Sequence, residues 1–165
     1  MNAISKGEIE VKGLDIDSKQ GDKRILDYVD IAYKSGEIEI DVSDIPDLVP
    51  AISVLAAARK KGEITKIVNA ARLRLKESDR LRSVANALNS LGGSVTELND
   101  SLVIEGSERL KGGAIDSYND HRIVMMGAAA SLISDGPVEI EGANAVSKSY
   151  PGFFDEYCRL GGEIR

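Results

Sequence analysis

The chain has 165 residues, enough to bury a core in one domain or to build one lobe of a larger protein. Its 42 % hydrophobic and 29 % charged residues are ordinary for a soluble globular chain. A formal net charge of −6, 4 % aromatics and no Trp argue against a stacking platform for single-stranded nucleic acid, and against nucleic-acid binding in general.

In chain order, the alternation in "EIEVKGL" (8–14) and "GEIEIDV" (36–42) predicts strands. "KRILDYVDIAY" (23–33) between them carries helical spacing, so the pattern opens as β-α-β. "PAISVLAAA" (50–58) and "IVMMGAAASLI" (123–133) are apolar on every side and predict buried helices, with Pro50 suited to a first turn. Leu81, Val84, Ala85, Leu88 and Leu91 mark an amphipathic helix that stops at Gly92-Gly93. "VTELNDSLVIEG" (95–106) reads as a hairpin turning at Asn99-Asp100, "GPVEIEG" (136–142) as a strand and "FFDEYCRLGG" (153–162) as a last helix. Cys158 is the single cysteine and excludes an internal disulfide, while His121 as the single histidine argues against a metal site of nitrogen and sulfur ligands. No leading run resembles a signal peptide or is long enough to span a bilayer, so a cytoplasmic location is the expectation.

The sequence repeats itself. "DIPDLVPAISVLAAARKKGEITKIVNA" (44–70) and "DSYNDHRIVMMGAAASLISDGPVEIEGANA" (116–145) each hold an acid, a buried helix, a Gly-led strand and an Asn-Ala. A lysine and a helix ending in Leu-Gly-Gly follow each, which places a repeat at about 44–93 and 116–162 with a period of roughly seventy residues. Each copy sets a carboxylate, Asp47 or Asp120, before a buried helix, and a lysine, Lys76 or Lys148, between a strand and the next helix. Helix starts carry unpaired N–H groups and a positive dipole end, so cations added there make an anion site.

"RLRLKESDRLR" (72–82) sharpens the point, with five cations and two carboxylates in eleven positions. One reading is a solvated helix face with Lys76 and Arg80 at i, i+4. The other is an anion site, since a bound phosphate or carboxylate would relieve the self-repulsion of this cluster. Arg80 offers a planar fork that matches a carboxylate, Lys76 a point charge, and Glu77 sits between them.

"RLKESDRL" (74–81), "DIPDLVPA" (44–51), "DSYNDHRI" (116–123) and "SKSYPGFF" (147–154) together resemble the signatures of the C-terminal lobe of the 5-enolpyruvylshikimate-3-phosphate synthase family, the shikimate-pathway enzymes inhibited by glyphosate. The resemblance runs in order from about residue 7 to the end. It implies an α/β fold of repeated β-α-β-α-β-β units, helices inside and sheets outside, three to each lobe of a two-lobed enzyme. On this basis residues 1–165 form a single domain, most of the C-terminal lobe, and need no cofactor or metal. The implied reaction joins shikimate 3-phosphate and phosphoenolpyruvate: the 5-hydroxyl attacks C2, C3 is protonated, and the tetrahedral intermediate expels phosphate as C3 gives its proton back.

By the same resemblance Asp47 binds the 4- and 5-hydroxyls and is the base toward the 5-hydroxyl; its alternative is an N-cap ahead of Pro50. Glu77 carries the proton to and from C3, although Lys76 and Arg80 beside it favour its ionised form. Lys76 contacts ring hydroxyls, Arg80 and Arg122 clamp the phosphoenolpyruvate carboxylate, and Lys148 meets its phosphate. His121 supports proton transfer or orients Arg122. All six charged head groups at 47, 76, 77, 80, 122 and 148 are expected on one concave surface.

Several family features are missing: the Lys-Ser pair, the Asn-Ala-Gly-Thr-type loop and the Ser-Ser-Gln stretch of the N-terminal lobe. A fragment that starts within the C-terminal lobe, inactive by itself and partnered by the N-terminal lobe, is therefore expected. Met1 is then an artificial start and the third unit incomplete. Arg72 stands where a short polar contact is expected in some relatives. The rival readings are a UDP-N-acetylglucosamine enolpyruvyl transferase lobe and a non-catalytic binding module of the same fold. RNA 3′-phosphate cyclase, of related architecture, fits poorly with an acidic chain.

Overall fold

The computed structural model describes residues 15, 17–19 and 21–165, so the strand expected at 8–14 lies outside the described residues. The segment at 23–33 corrects the helical expectation: it forms two 3-10 stretches, Gly21–Asp27 and Val29–Tyr33. Its apolar positions explain why. Ile25, Tyr28 and Ile31 recur every three residues, the period at which 3-10 side chains eclipse, and these are the ones that meet the core.

From there the elements run β1 (Ile38–Asp41), α1 (Val49–Ala57), β2 (Ile64–Val68), α2 (Arg80–Ser90), β3 (Ser94–Glu97) and β4 (Leu102–Glu105). This is one β-α-β-α-β-β unit. Its sheet has the order β1-β2-β4-β3, with β1 and β2 parallel and the other pairs antiparallel. Next come β5 (Gly113–Asp116), α3 (His121–Ser131), β6 (Val138–Glu141) and α4 (Phe153–Arg159), with β5 and β6 paired in parallel. The two parallel pairs share a register, Ile40 opposite Ile67 and Ile115 opposite Ile140. They also share an ending: Asp41 accepts the Ser43 N–H at 2.9 Å, and Asp116 the Tyr118 N–H at 2.6 Å. Periodicity does not predict β5, because Gly113-Ala114 offers no apolar alternation and only Ile115 of the strand is buried.

The apolar helices lie inside. Every residue of α1 except Ala51 is buried, packed against α2, α3, β2 and β4. Pro50 sits in its first turn, as expected. Helix α3 approaches β5 and β6 closely at Gly127, where a Cβ would lie 2.5 Å from Ile115 Cδ1 and 3.0 Å from Ile140 Cδ1. Helix α2 buries Leu81, Val84, Ala85 and Leu88 and ends where Gly92, at φ +86°, turns the chain into β3. Burying these faces in a common core aligns the strands so that β1, β2, β5 and β6 are each followed by a loop or 3-10 segment leading to a helix. Those four carboxyl-end connections carry Asp47, Lys76 with Glu77, Asp120 to Arg122, and Lys148. In α/β sheets that is where ligands bind.

Candidate active site

Three cations from different elements meet at one carboxylate. Asp47 lies in the 3-10 turn Pro46–Leu48 and makes no capping bond to α1, which removes the N-cap alternative. Its Oδ1 accepts from Arg80 Nη1 at 2.6 Å and lies 3.1 Å from Lys76 Nζ, while its Oδ2 is 3.6 Å from Arg122 Nη2. Arg122 Nη1 also donates to the Asp47 carbonyl at 3.0 Å. Burial pushes the Asp47 carboxyl up, but the hydrogen bond from Lys76 and the charges of Arg122, Lys76 and Arg80 outweigh it and hold the group below its ordinary value.

Behind this cluster Asp120 is fully buried and N-caps α3 by accepting the Arg122 N–H at 2.9 Å. It takes two edges of the Arg80 guanidinium, Nε at 2.7 Å and Nη2 at 3.2 Å, and the Ser78 hydroxyl at 3.0 Å. Burial raises its pKa, and these bonds together with the Arg80 charge lower it by more. Arg80, itself 2 % exposed, is thus anchored from behind and presents only Nη1 to the open side. Asp120 is a site-lining residue that sequence reasoning placed but did not assign. Its signal was the shared position with Asp47 ahead of a buried helix; its complete burial was not visible.

Glu77 does not join the cations: its Oε2 is 3.0 Å from His121 Nδ1, which gives a carboxylate and an imidazole within proton-sharing distance. Lys148 Nζ donates to the Asn119 carbonyl at 2.5 Å, beside Asp120 but away from Asp47. The structure therefore gathers Asp47, Lys76, Arg80 and Arg122 directly, sets Glu77 and His121 alongside through Asp120, and holds Lys148 on the Asn119 carbonyl instead. Ligand-type atoms of Glu77, Asp120 and His121 lie within 4.8 Å of one another. Both oxygens of Asp120 serve the Arg80 fork, so a cation there would compete with a fixed guanidinium.

The charge run at 72–82 divides. Arg74 locks the β3–β4 hairpin, binding Asp79 at 2.8 Å, Glu97 at 2.7 Å and the Asn99 and Leu98 carbonyls, with Arg82 3.7 Å from Glu97. Arg72 is exposed. The self-repulsion argued for a bound anion is thus offset within the chain, by Asp47, Glu97 and Asp120. Both Asp47 and Asp120 have folded pKa values below the unfolded value near 4. Their contribution to stability is complete above that value and lost as pH falls through the lower folded values. Urea midpoints should therefore drop below about pH 4, and Asp47→Asn should flatten that dependence. A wild-type midpoint constant from pH 5 to 2 would contradict it.

Repeated strand–helix units with helices inside, and cations converging at the strands' carboxyl ends, define the class: an α/β lobe of repeated units with a cation cluster at one end of its strands. Within that class the match is specific: the family model for EPSP synthase (3-phosphoshikimate 1-carboxyvinyltransferase) covers residues 1–157. The chain belongs to that family. It is 48 % identical over 98 % of its length to the 3-phosphoshikimate 1-carboxyvinyltransferase of Clostridium acetobutylicum and 48 % over 99 % to that of Clostridium kluyveri. It spans 40 % and 41 % of those proteins, about two fifths of their length. An EPSP synthase structure from Acinetobacter baumannii superimposes with a TM-score of 0.66 at 35 % identity, covering 73 % of this chain and 28 % of that one. Among the described residues no helix is long and apolar enough to cross a membrane.

Proposed function

We propose that this chain is most of the C-terminal lobe of an enzyme that transfers the enolpyruvyl group of phosphoenolpyruvate to the 5-hydroxyl of shikimate 3-phosphate, in the cytoplasm. The observation that carries the reading is the meeting of Lys76, Arg80 and Arg122 at one edge beside a Glu77–His121 pair. Arg80 Nη1 and Arg122 bind the phosphoenolpyruvate carboxylate, Lys148 its phosphate, and Lys76 the shikimate ring hydroxyls. Asp47 takes the proton of the attacking 5-hydroxyl as the C2–O bond forms. Glu77, with His121 holding its carboxylate in place, delivers a proton to C3 and recovers it as the C–O bond to phosphate breaks. The N-terminal lobe completes the cleft, so the 165-residue chain alone releases no phosphate above background.

The test uses the full-length enzyme carrying this lobe. Glu77→Gln keeps the shape and removes the titrating group, so turnover should fall roughly 10²-fold or more with shikimate 3-phosphate affinity nearly unchanged. Phosphate release at wild-type rate in the variant would remove Glu77 from the chemistry. Turnover by the purified 165-residue chain would overturn the need for a second lobe.

A further inference from the structure

The arrangement around Asp47 has a feature that the proposed reaction does not require. Every cation of the cluster is already paired, and with the same residue. Lys76, Arg80 and Arg122 direct Nζ, Nη1 and Nη2 at the Asp47 carboxylate, and the second Nη of Arg122 is held by the Asp47 carbonyl. Arg80 has no other edge to offer, since Nε and Nη2 are committed to buried Asp120. The Asp47 side chain in turn has no capping duty in α1, and it is one-third exposed, within reach of a solute. Glu77 provides the contrast: an acid next to Lys76 in sequence whose carboxylate is turned to His121.

We propose that Asp47 is an internal counter-anion of the cation cluster, so that an anionic ligand binds there only by displacing it. This rests on the proposed function in one respect: the ligand anion is taken to meet Arg80 and Arg122. A carboxylate hydrogen-bonded to a guanidinium edge and a phosphate or carboxylate ligand need the same N–H groups, and two anions in contact repel. Asp22, 3.8 Å from Arg122 Nη2 and half exposed, adds a weaker negative charge on the same side. The affinity of the cluster for anions is accordingly set below what its three cations would otherwise give.

The experiment titrates the 165-residue chain with phosphoenolpyruvate and, separately, inorganic phosphate, following the Arg80 and Arg122 guanidinium signals and the Asp47 side-chain carboxyl carbon by NMR. Asp47→Asn should bind both probes about tenfold more tightly, whereas Glu77→Gln, which removes the same formal charge, should change affinity less than about threefold. Equal gains in the two variants would reduce the effect to net charge and overturn the proposal, as would an unchanged or weaker Asp47→Asn. The wild type gives a readout that needs no variant to fold. Bound phosphate should move the Asp47 carboxyl signal together with both guanidinium signals; guanidinium shifts with a stationary Asp47 signal overturn displacement. Probes that shift neither arginine in any protein overturn the site assignment itself, an outcome distinct from the others.

Discussion

Asp120→Ala should lower the free energy of unfolding by about 3–5 kcal/mol, among the largest losses of any single substitution in this chain. Asp120 is fully buried, and its removal leaves the Arg80 guanidinium, 2 % exposed, with Nε and Nη2 unpaired. The same change takes the N-cap from α3 and the acceptor from Ser78. Asp47 still meets Nη1, which keeps the loss at the level of a broken buried pair rather than a wholly uncompensated charge. Urea denaturation should show a lower midpoint with an unchanged slope. A loss below about 1 kcal/mol would mean that Arg80 reaches solvent when Asp120 is gone. Because α3 starts at this residue, His121 and Arg122 would also lose their placement, so the site and the fold fail together.

Arg59→Lys should cost about 2–4 kcal/mol although it keeps the charge. Arg59 lies in the α1–β2 connection, two residues past the end of α1, and has no exposed surface. Its guanidinium donates to the Lys34 carbonyl at 3.0 Å, the Ile64 carbonyl at 2.7 Å, the Thr65 hydroxyl at 2.9 Å and the Gly36 carbonyl, with Glu63 at 3.2 Å. It thus ties the entry of β1 to the start of β2 at the end of the sheet opposite the candidate site. One ammonium cannot span acceptors that a planar fork reaches on several edges. Thermal unfolding of Arg59→Lys and Arg59→Met should show both well below wild type, and full stability in the lysine variant would show that charge alone matters. Phosphate binding near Arg80 should be unaffected in whichever variant remains folded, since no side chain of the site touches Arg59.

Sequence by itself determined what depends on local chemistry and on pattern. Apolar runs at 50–58 and 123–133 have no polar face to show to water, so they lie inside in any fold this chain adopts; the Gly92-Gly93 stop and the Asn99-Asp100 turn are likewise local preferences of the backbone. The four signature segments were enough to indicate the family, because their residue types recur in order along the chain. Asp47, Lys76 and Lys148 were legible from the repeat, Glu77 and Arg80 from the charge run, and His121 and Arg122 from the resemblance alone. Their pairing was not. Whether Arg80 faces a ligand or a buried carboxylate depends on where Asp120, forty positions away, lands when α2 and α3 pack on α1, and a one-dimensional pattern holds no such distance. The same limit hid Arg59, whose acceptors are carbonyls that every residue possesses, and β5, whose strand is imposed by pairing with β6 rather than by alternation. It also misled the reading of the 72–82 cluster: its positive charge looked unanswered because the answering acids, Asp47, Glu97 and Asp120, are remote in sequence. Tertiary structure decides such matters because hydrogen bonds and ion pairs act over a few ångströms, and only the packed core fixes which distant side chains come that close.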